Sequence, residues 1–160
     1  AIVKGARERY DGMPRRPIQR NPWNEIECGG HYARAMSSWS LLTALAGCQY
    51  DGPAQRLAFA PKLKPDNFKA FFTAAEGWGT FTQLVDAGRQ RASIELGAGA
   101  LALRMLELAA GQDAQAGKLA VRVAGKEVPA KLDWQDGQAR IHFAATVQLR
   151  AGETLEVELT

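Results

Sequence analysis

The stretch from Arg140 to Arg150, R-I-H-F-A-A-T-V-Q-L-R, alternates apolar and polar side chains along its length. One set of alternate positions is apolar: Ile141, Phe143, Ala145, Val147 and Leu149. The opposing set is polar: Arg140, His142, Thr146, Gln148 and Arg150. Successive side chains of a β-strand point to opposite faces of its sheet, so the pattern predicts a half-buried antiparallel strand.

The same alternation recurs on both sides of this stretch, at 119–123, 128–134 and 155–159. Turn signals separate these segments at Gly125-Lys126, Asp136-Gly137 and Ala151-Gly152. Earlier strands are expected at 80–86, 90–97 and 100–108. Short strands at this spacing predict an antiparallel β-sandwich domain over 49–160. The side chains expected inside it are Val121, Val123, Leu132, Phe143, Val147, Leu155 and Val157.

One helix is predicted ahead of the sandwich, over residues 31–46. Apolar side chains there recur at spacings of three and four, and Gly47 follows at the position of a C-terminal cap. Prolines and glycines punctuate residues 1–24, which predicts an extended connector. The fold class is therefore mixed and mainly β, with residues 1–48 forming the connector and helix. The helical stripe consists of Tyr32, Ala35, Met36, Trp39, Leu42 and Ala46.

Composition limits the classes of function. The 160 residues carry a formal net charge of +3, and no apolar run approaches the roughly 20 residues that cross a bilayer. No signal peptide is recognised, and the compartment is left open. The arginines near the start could bind an anion or nucleic acid, but no nucleic-acid motif accompanies them, so a solvated or internally paired connector is preferred. Cys28 and Cys48 are too few for a zinc site, and we expect no metal or cofactor.

The segment from Arg20 to Trp39, R-N-P-W-N-E-I-E-C-G-G-H-Y-A-R-A-M-S-S-W, concentrates groups that could hold a sugar. Charged side chains bind sugar hydroxyls, and flat rings cover the apolar face of the sugar. The candidate site residues are Trp23, Glu25, Glu27, His31 and Arg34. Each also has a structural explanation: a glutamate pairing with Arg34 near the helix start, a histidine cap, or a tryptophan that only packs.

This segment resembles bacterial proteins of glycoside hydrolase family 116, which includes the non-lysosomal glucosylceramidases, or bile-acid β-glucosidases. Further matching motifs are Y-D-G-P at Tyr50–Pro53, L-A-F-A-P at Leu57–Pro61 and F-F-T-A-A-E-G-W-G-T-F at Phe71–Phe81. The resemblance covers about the first half closely. It implies that the helix is the last one of an (α/α)6 catalytic barrel.

The resemblance also implies a retaining β-glycosidase whose two catalytic carboxylates lie upstream, in a region of the same protein that this chain lacks. Arg34 and one glutamate, Glu25 ahead of Glu27, would then contact a β-glucoside ligand. Many relatives carry C-G-D-H-Y where this chain has Cys28-Gly29-Gly30-His31-Tyr32, so the loop has one polar group fewer. The chain alone is expected to be inactive.

Two alternatives remain open from the sequence. The first is a non-catalytic carbohydrate-binding or interaction module built on the same sandwich. Exposed aromatic residues in a row on one sheet face would favour it, and the predicted strands contain few. The second is a phosphorylase-like parent with a similar barrel and sandwich.

Within Glu76-Gly77-Trp78-Gly79, the glycines let the backbone turn sharply and approach another surface. Trp78 is expected either to dock on the barrel and line the sugar site, or to plug the junction of helix and sandwich.

Overall fold

The computed structural model describes Lys4 and residues 39–109 and 117–160. The chain divides into two compact units, Ala1–Leu42 and Thr43–Thr160. The second unit contains all the β-strands described below. The predicted domain division after residue 48 stays a prediction, as does the assignment of the helix to a catalytic barrel.

Helix α1 spans Trp39–Ala46, which confirms the predicted end of the helix; residues 31–38 lie outside the described residues. Gly47 has a φ of 57°, the left-handed conformation that ends many helices. The amides of Ala60 and Lys62 donate to the carbonyls of Ala46 and Leu45 at 3.1 and 2.8 Å. These bonds satisfy two carbonyls that a helix end leaves without partners, and so fasten α1 to the strand region.

Ten strands follow within the described residues, and the mainly β fold is confirmed. Sheet A has the order β1-β2-β5-β9-β8, and sheet B has the order β3-β4-β5-β10-β6-β7. All neighbours are antiparallel except β2 and β5, which run parallel. The strands are β1 Gln49–Asp51, β2 Arg56–Phe59, β3 Asn67–Thr73, β4 Gly77–Asp86, β5 Arg89–Ala109, β6 Leu119–Val123, β7 Lys126–Glu127, β8 Ala130–Gln135, β9 Gln138–Arg150 and β10 Thr154–Leu159.

The prediction of separate strands at 90–97 and 100–108 is wrong, because β5 is continuous through both. Its first half pairs with β4 and β10 in sheet B, and its second half pairs with β9 and β2 in sheet A. The bend lies at Gly97–Gly99, where Gly99 has a φ of 78°. Glycine makes a bend in a strand without ending its pairing, and a strand that switches sheets joins the two layers of a sandwich.

The expected core is largely confirmed. Five of the seven side chains named above are buried, and Val123 and Leu132 are partly buried against the same cluster. Phe59 of sheet A stacks on Phe81 of sheet B, with ring centroids 3.8 Å apart. The hairpin at Asp136-Gly137 is also confirmed: both residues have positive φ, as a tight two-residue turn requires.

Ala145 is exposed, although the alternation placed it inside. The register between β5 and β9 shifts here, since Leu103 lies opposite Val147 while Met105 lies opposite His142. This bulge in β9 reverses the alternation locally, as extra residues in one strand do. At this bulge, the carbonyl of Gln55 accepts hydrogen bonds from the amides of Arg104 and Met105, at 2.8 and 3.2 Å.

Candidate functional site

The five residues proposed from the sequence as sugar ligands lie outside the described residues, so their roles stay predictions. They are Trp23, Glu25, Glu27, His31 and Arg34. Two groups of side chains within the sandwich are described in full, and only the second was noted from the sequence, through Trp78 and its flanking glycines. One is an ion cluster on sheet A, and the other is an aromatic corner on sheet B.

The ion cluster is centred on Glu107 in β5. Leu106 and Leu108 on either side of it point into the core, so Glu107 points to the outer face of sheet A. Its side chain is nevertheless only 3% exposed. Arg56 donates a hydrogen bond to Oε2, and Nε of Arg140 lies 3.1 Å from Oε1. The aliphatic parts of arginine side chains can exclude water from such a carboxylate while their charges compensate it.

This environment determines the protonation state of Glu107. The hydrogen bond from Arg56, together with the charges of Arg56 and Arg140, holds the pKa of this carboxyl below its usual value, although burial opposes the shift. A carboxylate of this kind remains ionised at neutral pH and accepts hydrogen bonds. It is therefore unsuited to act as a general acid, which needs a raised pKa. We assign it a structural role that fastens β2 and β9 to β5.

The aromatic corner lies where β4 begins beside the bend of β5. A Cβ atom at Gly77 would lie 2.7 Å from the carbonyl oxygen of Ala98, and one at Gly79 would lie 2.3 Å from that of Glu95. The prediction that the glycines allow close backbone approach is thus confirmed. Trp78, between them, lies against Gly97 of β5 and keeps 50% of its surface exposed.

Cys48 is a free thiol, and burial raises its pKa to about 11, so it is a poor nucleophile at neutral pH. Among the described residues, no three His, Cys, Asp or Glu side chains are grouped so that they could hold a metal ion. In the same part of the chain, no helix is long and apolar enough to cross a membrane.

No protein-family model matches the chain, and no curated protein shows significant similarity to it. Several solved structures show a partial likeness. One is a GH127 β-L-arabinofuranosidase from Geobacillus stearothermophilus T6, with 13% identity, a TM-score of 0.41 and coverage of 78% of this chain and 18% of that one. Another is an α-L-rhamnosidase from Dictyoglomus thermophilum, with 11% identity, a TM-score of 0.38 and coverage of 72% and 12%.

A third structure, titled only as a glycoside hydrolase, has 16% identity and a TM-score of 0.36, with coverage of 63% and 16%. All three are glycoside hydrolases, and none is described as a member of family 116. TM-scores below 0.5 do not establish a shared fold. This chain spans less than a fifth of the length of each of the three.

Proposed function

We propose that this chain is the C-terminal part of a retaining glycoside hydrolase that acts on β-glucosides or related glycosides. The sandwich is its structural domain, and the segment Arg20–Trp39 supplies sugar-binding groups. The observation that carries the proposal is the sequence of that segment, which brings two glutamates, a histidine, two arginines and three large aromatic residues into 20 positions. The resemblance to family 116 supplies the reaction class.

The division of labour follows from the chemistry of retaining enzymes. They use a nucleophilic carboxylate and an acid–base carboxylate about 5–5.5 Å apart. Within the described residues, the one buried acidic side chain is Glu107, and its two arginine partners keep it ionised. The resemblance to family 116 supports a catalytic pair in the region upstream, with this chain as a partner of that region.

Arg34 is the residue through which the proposal can be tested. Its guanidinium can donate two parallel hydrogen bonds to neighbouring sugar hydroxyls, while Glu25 or Glu27 accepts from another. Hydrogen bonds to charged groups contribute about 1.5–3 kcal/mol each. Since each 1.4 kcal/mol is about a tenfold change in rate, losing Arg34 should weaken catalysis by one order of magnitude or more.

The experiment uses the complete gene product that contains this chain, with an aryl β-glucoside as substrate. We expect Arg34→Ala to lower kcat/KM about tenfold to several hundredfold. Arg150→Ala removes an exposed arginine from β9 and serves as the matched control. The thermal midpoint of each variant is measured in parallel, because a glutamate left without its partner also costs stability.

Two results would contradict the proposal. If Arg34→Ala loses stability but keeps kcat/KM within about twofold, Arg34 is a structural partner of a glutamate. The 160-residue chain alone should not hydrolyse the substrate. Turnover by this chain, abolished by Glu25→Gln or Glu27→Gln, would mean that it carries its own catalytic carboxylate.

A further inference from the structure

The outer face of sheet B carries a tryptophan whose ring is both fixed and accessible. A Cβ atom at Gly97 would lie 2.6 Å from Cζ3 and 2.8 Å from Cη2 of Trp78. The indole therefore occupies the space that a side chain at position 97 would need, and it rests on the backbone of β5. Since half of the side-chain surface stays exposed, the ring forms a platform against which a flat apolar ligand surface can stack.

Hydroxyl and carboxylate groups surround this platform. Thr73 lies opposite Trp78 in the register of β3 and β4, and Thr80 follows on the same face. Glu95 of β5 lies opposite Thr80, and Thr154 of β10 lies opposite Glu95. Side chains in such register share one face at separations of about 5 to 7 Å. Phe71, opposite Thr80 and 39% exposed, adds a second ring beside Trp78.

An open depression of about 290 Å³ continues the same face. Thr82, on its rim, lies four residues beyond Trp78 along β4, which corresponds to about 13 Å. Small side chains, those of Ser93 and Ala120, line it. Charged side chains provide hydrogen-bond donors and acceptors around it. Arg122 lies opposite Glu156 and Arg91 opposite Glu158 in the strand register, and Nε of Arg89 lies 3.6 Å from Oε1 of Glu158.

The charges of this face decide which ligand class it fits. Four positive and five negative residues occupy outward strand positions, so the face has no excess of positive charge. A nucleic acid requires an excess of basic groups, which is absent here. Thr80 and Thr82 separate Leu84 from the two rings of Trp78 and Phe71, so the apolar side chains of this face do not form one large patch of the kind that marks a protein contact. The charged residues are Lys69, Arg89, Arg91, Arg122, Asp86, Glu95, Glu127, Glu156 and Glu158.

We propose that the outer face of sheet B binds a neutral β-linked gluco-oligosaccharide. Trp78 stacks on the apolar face of one sugar ring, and Thr80 and Glu95 hydrogen-bond to its hydroxyls. Further rings extend toward the depression, where the arginine–glutamate pairs meet their hydroxyls. The glucoside class of the ligand rests on the proposed function, whereas the location rests on the residues of this face.

The test titrates the full 160-residue chain with cellohexaose and laminarihexaose, followed by calorimetry and by amide chemical shifts. We expect saturable binding of at least one probe, with shifts confined to the amides around Thr80, Ser93 and Glu95. Trp78→Ala should weaken binding about tenfold or more, the scale of an anchoring aromatic residue. Gly97→Ala, which keeps the indole but displaces it, should also weaken binding. Trp134→Ala, at a tryptophan of β8 that is 36% exposed, should leave it unchanged.

Several results would overturn the inference. Failure of both probes to bind would do so, as would equal affinities of Trp78→Ala and the wild type. Binding that weakens steeply with salt would indicate a charged ligand surface instead. Arg34→Ala separates this inference from the proposed function. If Arg34→Ala abolishes binding and Trp78→Ala does not, the sugar binds at the Arg20–Trp39 segment. This result would contradict the inference and would agree with the proposed function. If Trp78→Ala abolishes binding and Arg34→Ala does not, the result supports the inference but not the proposed function.

Discussion

At the scale of single residues, Glu107 shows how a charge is accommodated on a sheet. The position alternates with buried leucines, and the carboxylate would be solvated on the outer face if its neighbours were small. Arg56 on β2 and Arg140 on β9 lie over it from the two adjacent strands. Both arginines are themselves about a quarter exposed, at 25% and 28%, so their charges stay partly hydrated. This lowers the desolvation cost that makes fully buried ion pairs unfavourable.

We expect Glu107→Gln to lower the free energy of unfolding at pH 7 by about 1–3 kcal/mol, because an amide cannot compensate two guanidinium charges. Glu127→Gln, at an exposed glutamate of β7, is the matched control and should change stability by less than about 0.5 kcal/mol. Urea unfolding of both variants measures the difference. Equal stability of Glu107→Gln and the wild type would mean that the charge of Glu107 makes no net contribution to the free energy of unfolding.

The pH dependence of this difference follows from the lowered pKa of Glu107. A depressed pKa in the folded state contributes stability above the unfolded value, near 4.3, and the contribution is lost as the pH falls through the folded value. The gap between wild type and Glu107→Gln should therefore be constant near neutral pH and shrink below about pH 4. A gap that widens on acidification would contradict the assignment.

At the scale of elements, β5 holds the two sheets together. Its 21 residues pair with four other strands, two in each sheet. The buried side chain of Gln90 near its start donates to the carbonyl of Ala109 at its end, at 3.0 Å, so the two halves of the strand are also linked directly. The bend between them depends on Gly99, which has both a positive φ and a carbonyl oxygen where its Cβ would be.

Two glycine substitutions separate those two requirements. Gly125 has a φ of 77°, close to the 78° of Gly99, but open space where its Cβ would be. We expect Gly125→Ala to cost only the left-handed strain, about 1–2 kcal/mol. Gly99→Ala adds a steric cost of about 1–3 kcal/mol, because the backbone of Glu76 must move. Urea midpoints give the comparison. Similar losses in the two variants would mean that the approach of Glu76 to the bend is not tight.

At the scale of the whole molecule, the sandwich is held by a layer of aromatic rings between the sheets. Phe59 of β2 stacks face to face on Phe81 of β4 and meets Phe72 of β3 edge on, with centroids 5.6 Å apart. Phe71, adjacent to Phe72, points to the opposite side of sheet B. One strand thus contributes to the core with one face and to the proposed sugar surface with the other.

We expect Phe81→Ala to lower the free energy of unfolding by about 3–5 kcal/mol, since it empties a fully buried site between the sheets. Phe71→Ala removes the same side chain from the outer face and should cost less than about 1 kcal/mol. Phe81→Leu, with an intermediate loss, keeps the comparison measurable if the alanine variant unfolds. Similar losses of unfolding free energy at positions 71 and 81 would contradict the placement of Phe71 on the outer face and of Phe81 in the core.

The sequence alone determined the strands of the C-terminal half. The alternation in 119–123, 141–149 and 155–159 is a local property with a period of two, so it reports which side chains face the core wherever the pairing is regular. Asp136-Gly137 likewise determined its hairpin, because the positive φ values of such a turn favour those two residue types.

Only the tertiary structure decided the features that depend on distant residues. Arg56 and Glu107 are 51 positions apart, and no local pattern links them. Ala145 is exposed because a bulge opposite β5 alters the register of β9. Strand β5 belongs to both sheets because its glycines allow it to bend without ending. The indole of Trp78 packs against Gly97, which lies on another strand. A side chain's burial and partners are set by the strands packed around it, which the alternation within its own strand does not contain.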